Sequence, residues 1–235
     1  MMFKSLRGCN SGGRANFMWE SRVLFIDGEA IVLDKPAGIA VHPGSRTPQS
    51  LEDHLHHLRF GFQRTPVPVH RLDRDTSGCL LLARNPKSLR RFQRAFEDRL
   101  VAKSYVAVLD GALDGDEGRI DLPLAKVSSA EDGWKMIADS GGKAAITHWR
   151  RLGVVNGSTL VLFTPETGRT HQLRAHALHG LGVPIKGDPR YGSPDGPMLL
   201  HALSIRVERG DKPPVAAKAP LPAIFTAQGF GDVEL

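Results

Sequence analysis

The sequence predicts a strand-rich α+β protein, and three observations carry that reading. Seven apolar runs have strand length and are bounded by turn residues: 23–26, 31–33, 79–83, 103–109, 144–152, 158–164 and 199–207. Only three stretches, near 51–58, 86–100 and 173–181, repeat apolar residues every three or four positions as a helix does. No internal repeat or shift of composition divides the 235 residues into two domains.

Taken in order, residues 1–17 lack hydrophobic periodicity, contain Gly12-Gly13, and read as a mobile basic tail, with Met18 as an alternative start. The rest, 18–235, reads as one domain. Val23–Ile26 and Ile31–Leu33 flank Asp27-Gly28 as a β-hairpin. Lys35-Pro36-Ala37-Gly38 and His42-Pro43-Gly44 interrupt regular structure. Ser50 opens a short helix in a capping box with Asp53, and Leu51, Leu55 and Leu58 share its inner face. After the polar stretch His70–Gly78 comes an apolar strand, 79–83. Asn85-Pro86 then caps a helix whose inner stripe is Leu89, Phe92, Phe96 and Leu100. Its outer face carries Lys87, Arg90, Arg91, Arg94 and Arg99, a solvated surface or an RNA-backbone contact. Residues 110–143 show little periodicity and read as an extended hairpin or surface insertion. Strands 144–152 and 158–164 turn around Asn156-Gly157. Leu173, Ala177 and Leu181 mark a helix that stops at Gly180 and Gly182, and 199–207 is a last strand. The final 25 or so residues, with several prolines, read as a loose tail.

The net charge of +6 favours an anionic partner, nucleic acid above all. Two cysteines build neither a disulfide framework nor a Cys-x-x-Cys metal site, so a reducing, cytoplasmic setting follows. No apolar run approaches the ~20 residues that span a bilayer, and no signal peptide is visible. The histidines at 54, 56, 57 and at 171, 176, 179 lack metalloprotease spacing; residues five apart on a helix do not share a face. Neither glycine-rich segment, Gly168-Arg169-Thr170 or Gly187–Gly192, is a P-loop, and Asp75-Thr76-Ser77-Gly78 is not a nucleophile elbow.

That leaves the nonapeptide His70-Arg71-Leu72-Asp73-Arg74-Asp75-Thr76-Ser77-Gly78. An aspartate can attack carbon directly if a cation keeps it ionised in a partly desolvated cleft. If 72–74 is extended, the neighbours of Asp73 point to the other face, so the cation must come from elsewhere, with Arg169 and Arg174 the candidates. The alternative is that Asp73 and Asp75 only cap a turn.

Four separated stretches resemble the RluA-type RNA pseudouridine synthases. They are His70-Arg71-Leu72-Asp73-x-x-Thr76-Ser77-Gly78; Lys35-Pro36-Ala37-Gly38 with Val41-His42-Pro43-Gly44; Lys103-x-Tyr105-x-Ala107; and Gly168-Arg169-Thr170-His171-Gln172-Leu173-Arg174-x-His176 with the segment from Gly182 to Gly192. They lie in family order and span roughly residues 20–207. The resemblance implies a mixed, mostly antiparallel sheet flanked by helices, an isomerase that turns uridine into pseudouridine within tRNA or rRNA, and no cofactor or metal. It implies Asp73 as nucleophile, Tyr105 against the target base and Arg174 paired with Asp73. It also places Leu173 under the base and Arg71 in base extrusion, with His70 and Arg169 among the substrate-binding residues. About 20 residues precede the first strand, too few for the small RNA-binding domain of many relatives. Target choice would rest on the catalytic domain, acting as a monomer on a compact stem-loop. Two rivals remain open: a non-catalytic RNA-binding or ribosome-assembly factor, and a metal-dependent hydrolase using the histidines.

Overall fold

The structure, a computed structural model, describes residues 19–44, 47, 49–129 and 133–231. The expected basic tail, 1–17, lies outside the described residues. One ten-stranded sheet dominates. Its strands are β1 (Val23–Ile26), β2 (Ala30–Lys35), β3 (Val67–Pro68), β4 (Ser77–Ala83), β5 (Val101–Leu109), β6 (Glu117–Asp121), β9 (Ile146–Val155), β10 (Ser158–Pro165), β11 (Leu200–Arg209) and β12 (Lys212–Lys218). The main path runs β1-β2-β4-β11-β5-β10-β9-β6, with β3 paired to β4 and β12 to β11. A separate hairpin holds β7 (Leu124–Ser129) and β8 (Gly133–Ala138). The helices are α1 (Pro86–Glu97), α2 (Gln172–Leu181) and a short C-terminal α3 (Ala223–Phe225). The expected mixed, mostly antiparallel sheet with flanking helices is the fold found.

Strand alternation explains the layers. In β2 and β4 successive side chains face opposite sides, yet all but Asp34 and Ser77 are buried, because both faces are covered. Val32, Cys79 and Leu81 join Phe92 of α1 on one side. Ile31, Leu33, Leu80 and Leu82 join Leu51, Leu55 and Leu58 on the other. In the second half of the sheet Ala107, Leu109, Val161 and Phe163 meet Leu173 and Ala177 of α2, while Val106, Val108 and Leu160 meet Phe225 and Phe230.

The two halves join at one narrow seam. Strand β11 pairs with β5 along most of its length but with β4 only through His201↔Ser77 and Ala202↔Gly78, the one parallel strand pairing of the sheet among the described residues. Gly78 has φ +102°, and a Cβ there would stand 2.2 Å from the Ala202 carbonyl oxygen. Glycine is what allows the backbones to come this close. The stretch just before the seam is the nonapeptide.

Several turns form as their residues dictate. Asn156 (φ 50°) and Gly157 (φ 76°) make the left-handed pair that suits a two-residue hairpin between β9 and β10. The Asn85 side chain accepts from the Ser88 amide at 2.9 Å, with Pro86 opening α1. Gly182 closes α2 in a left-handed cap, as expected.

The short helix expected after Ser50 is present at 51–58 as a 3-10 helix, with its Ser50–Asp53 capping box. Three expectations are corrected. Leu100 lies beyond the end of α1 and is 67% exposed, so the buried stripe stops at Phe96. Residues 110–143 contribute β6 to the main sheet as well as the β7–β8 hairpin. The C-terminal region is not a loose tail: β12 pairs with β11, and Phe225 and Phe230 are fully buried. Pro213 and Pro214 fit because β12 is bonded on one side only, where missing amide donors cost little. Among the described residues no helix is long and apolar enough to cross a membrane.

Candidate active site

A pocket of about 140 Å³ opens on the sheet face shared by the 3-10 helix and α2, at the seam. Asp73, Tyr105, Leu173, Arg174, Arg71 and Arg169 all line it, so six of the seven residues singled out in the sequence meet there.

Asp73 sits in the loop between β3 and β4. Leu72 before it is buried among Leu33, Leu51 and Leu80, which fixes the loop from below. Arg74 after it turns away, its Nε donating to the Gly38 carbonyl at 3.1 Å. The loop is tied to the segment after β2 by Lys35. This lysine is fully buried and its Nζ donates to the carbonyls of Pro36, Ile39 and Arg74 at 2.8, 2.9 and 3.1 Å. Burial pulls its pKa down to about 8, against the opposing pull of Asp75, Asp73 and Asp34.

The cation beside Asp73 comes from α2, about 100 residues along the chain. Arg174 Nη1 donates to Asp73 Oδ2 at 3.1 Å. The rest of its guanidinium is held by Asp188, with Nε and Nη2 donating to the two carboxylate oxygens at 2.7 Å each. A bidentate pair of this kind fixes the plane of the fork. Asp188 is fully buried and also accepts the amides of Arg190 and Tyr191 at 2.9 and 3.1 Å. Burial opposes the charge on both partners, yet these bonds hold Asp188 below the usual carboxylate range, and the two carboxylates raise the pKa of Arg174. Arg174 is thus a fixed positive charge aimed into the pocket.

The remaining walls are divided between apolar and basic groups. Tyr105, on β5, spans the apolar clusters of both halves of the sheet. Burial, with Asp73 nearby, raises its phenol above the ordinary range, so it stays protonated at neutral pH. Leu173 and Leu200 add apolar surface, and Lys103 and Arg169 add positive charge. Burial lowers the pKa of Lys103. Arg169, one of the two candidate partners for Asp73, donates instead to the Ala144 carbonyl at 3.0 Å. Arg71 is exposed at the rim.

His70 lines the groove next to this pocket rather than the pocket itself. Its Nε2 accepts the Leu81 amide at 3.0 Å and its ring stacks on Phe96, 4.6 Å between centroids. Burial, with Lys103 nearby, brings its pKa down to about 4. The geometry makes it a brace between β4 and α1. His176 bonds Thr147 Oγ1 and the Leu122 carbonyl, and His54 stacks on Trp19. Among the described residues no group of three histidine, cysteine or acidic side chains is arranged to hold a metal.

Four residues of the site were not singled out as candidates from the sequence: Lys35, Lys103, Asp188 and His171. The last begins α2 with left-handed backbone (φ 51°), unusual for a side chain of this size. Its Nε2 lies 3.7 Å from Asp73 Oδ2. The signal for these residues was their place inside the matching motifs; charge and spacing alone carried none.

The pattern of the family described as RNA pseudouridylate synthase matches residues 29–179. An uncharacterized RNA pseudouridine synthase of Zymomonas mobilis is 55% identical over 213 residues, covering 89% of this chain and 97% of that protein. Ribosomal large subunit pseudouridine synthase C of Buchnera aphidicola is 34% identical over 224 residues, covering 90% of this chain and 70% of that protein. Among solved structures, human RNA pseudouridylate synthase domain containing 4 superposes with a TM-score of 0.76 at 25% identity, over 92% of this chain and 95% of the other.

Proposed function

The chain belongs to the RNA pseudouridylate synthase family and is an RNA pseudouridine synthase, an isomerase; on that premise we propose that Asp73 is its nucleophile and a ribosomal RNA hairpin its substrate. The observation that carries the first part is the Asp73 carboxylate, 22% exposed at the pocket, with Arg174 locked against it by Asp188. A carboxylate so paired is held in place by a fixed positive charge, and it is open on the pocket side.

The chemistry is an internal exchange. The bond from N1 to C1′ breaks, the base turns, and a bond forms from C5 to C1′. N1 gains a proton, C5 loses one, and the composition is unchanged. A stacked uridine cannot present these atoms to a side chain, so it must be splayed into the pocket at a cost of a few kcal/mol. Tyr105 and Leu173 then form the surfaces against the base. Arg71, free at the rim, fills the gap that the base leaves and meets the flanking phosphates. Whether Asp73 attacks C6 or C1′, or promotes a glycal, the same carboxylate is required.

The RNA path is read from the grooves beside the pocket. One leads past Lys103 and Arg71 to Arg99 at the end of α1. The other runs from Arg71 and Arg169 past Lys126, Trp134 and Lys143. Both are basic, and both suit backbone phosphates on either side of a flipped nucleotide. Names of relatives such as the Buchnera protein favour large-subunit ribosomal RNA. Pseudouridine mapping in cells lacking the gene, complemented with wild type or Asp73→Asn, tests the proposal. The expected result is one or a few large-subunit sites restored by the wild type alone. Restoration by the mutant would overturn the nucleophile, and loss of tRNA sites only would overturn the substrate.

A further inference from the structure

The β7–β8 hairpin reaches toward the catalytic centre through Tyr191 and His171. The Met136 amide on β8 donates to Tyr191 Oη at 2.9 Å. Tyr191 Oη lies 3.1 Å from His171 Nδ1. His171 Nε2 faces Asp73 Oδ2 at 3.7 Å, and the indole of Trp134, also on β8, covers the imidazole at 4.6 Å between centroids.

Hydrogen-bond accounting assigns the protons. A backbone N–H can only donate, so Tyr191 Oη accepts from Met136. Among the described residues Nδ1 of His171 is the acceptor within reach of the hydroxyl proton, so the arrangement that uses every donor has Tyr191 Oη donating to Nδ1. A neutral imidazole that accepts at Nδ1 carries its proton on Nε2. Nε2 is the atom that faces the carboxylate. We propose that His171 is a positioning residue for Asp73: Met136, Tyr191 and Trp134 hold it as the Nε2–H tautomer, with that proton aimed at Asp73 Oδ2.

The charges around the ring agree. Asp73, Asp188, Arg174, Arg190 and Tyr191 face it. Burial, helped by the two arginines and opposed by the carboxylates, brings the pKa of His171 down to about 4, so it is neutral in the working range. At 3.7 Å the contact is longer than a hydrogen bond; such contacts commonly tighten in the substrate complex. Both donors, Arg174 Nη1 and His171 Nε2, converge on Oδ2. Oδ1 receives neither of these contacts. The hairpin that carries Met136 and Trp134 also forms one wall of the basic groove with Lys126.

This role rests on Asp73 as the nucleophile, but its test does not need turnover. In protein labelled with 15N-histidine, long-range proton–nitrogen spectra distinguish the two tautomers, and a His171→Asn variant identifies the resonances. Wild type is expected to show Nε2–H, with that proton signal shifting in Asp73→Asn. Tyr191→Phe should populate the other tautomer. It should also slow single-turnover conversion roughly fivefold to tenfold, the worth of about one hydrogen bond, with RNA affinity unchanged. An Nδ1–H tautomer in wild type, or one unmoved in Tyr191→Phe, overturns the relay even if that variant alone proves unstable. An active Asp73→Asn enzyme with the predicted tautomer would overturn the nucleophile and leave the relay standing.

Discussion

The two main helices of this protein bury opposite kinds of surface. Helix α1 follows the ordinary rule. Phe92 is fully buried, Leu89 and Phe96 are partly so, and Lys87, Arg90 and Arg94 stay in water. Helix α2 breaks it. Six consecutive residues, Gln172 to Ala177, are buried, and three of them are Gln172, Arg174 and His176. Each has partners: Gln172 bonds Thr167, Arg169, Ile146 and Thr147; Arg174 bonds Asp188 and Asp73; His176 bonds Thr147 and Leu122. A buried stretch of helix that keeps polar side chains must satisfy each of them, and the structure that does so becomes rigid. Helix α1 therefore stabilises the sheet, and α2 holds a charge in place.

The largest test of that contrast is Arg174→Met. It leaves the fully buried Asp188 without its partner, which costs ~3–5 kcal/mol of stability. It also removes the cation from Asp73, and a preorganised charge of this kind is worth ~10²–10³-fold in rate. Urea unfolding and single-turnover kinetics on the same sample should show both losses. Phe92→Ala in α1 should cost a comparable ~3–5 kcal/mol through the cavity it leaves. Its rate per folded molecule should match wild type. Equal stability losses with unequal rates would sharpen the contrast, and a slow Phe92→Ala enzyme would break it.

Acid should act on the site side first. His70 opens the catalytic loop, His171 faces Asp73, and His201 bonds Ser77 Oγ at 2.8 Å just after the loop. Burial brings all three down to about 4, whereas they titrate near 6.5 when unfolded. The unfolded chain then binds more protons between these values. Their contribution is fully present above about pH 6.5 and is lost as pH falls through about 4. Urea midpoints should drop across that window by the equivalent of roughly 1–3 kcal/mol per histidine. A flat profile would contradict their burial in the neutral form.

The smallest effect belongs to the outer face of α1. Replacing Arg90 and Arg94 together by alanine should weaken RNA binding several-fold and reduce the steepness of its salt dependence by roughly one per lost phosphate contact. The rate at saturating RNA should not change. Arg91 is not part of that surface, since it pairs with Glu29.

The contrast also explains what could be read from the sequence. Strands of alternating or continuous apolar residues and the amphipathic, capped α1 were visible because their periodicity matches their burial. Strand β12 was hidden by Pro213 and Pro214, tolerable only because the strand is an edge. The strands within 110–143 were hidden by short length and many glycines. For α2 only Leu173, Ala177 and Leu181 signalled a helix, and nothing local announces that Arg174 is buried. That property depends on Asp188, fourteen residues on, and on a loop 101 residues back. Asp73, Tyr105 and Arg174 were named through motif resemblance. His70, named with them as substrate-binding, lines the neighbouring groove while also joining β4 to α1, and Arg169 lines the pocket without reaching Asp73.

The most direct measurement is single-turnover tritium release from a hairpin RNA carrying uridine labelled at C5, since forming the C5–C1′ bond expels that hydrogen to solvent. With purified Asp73→Asn and RNA affinity measured in parallel, the account predicts no release above background and affinity within a few-fold of wild type. Release at a wild-type rate would contradict it.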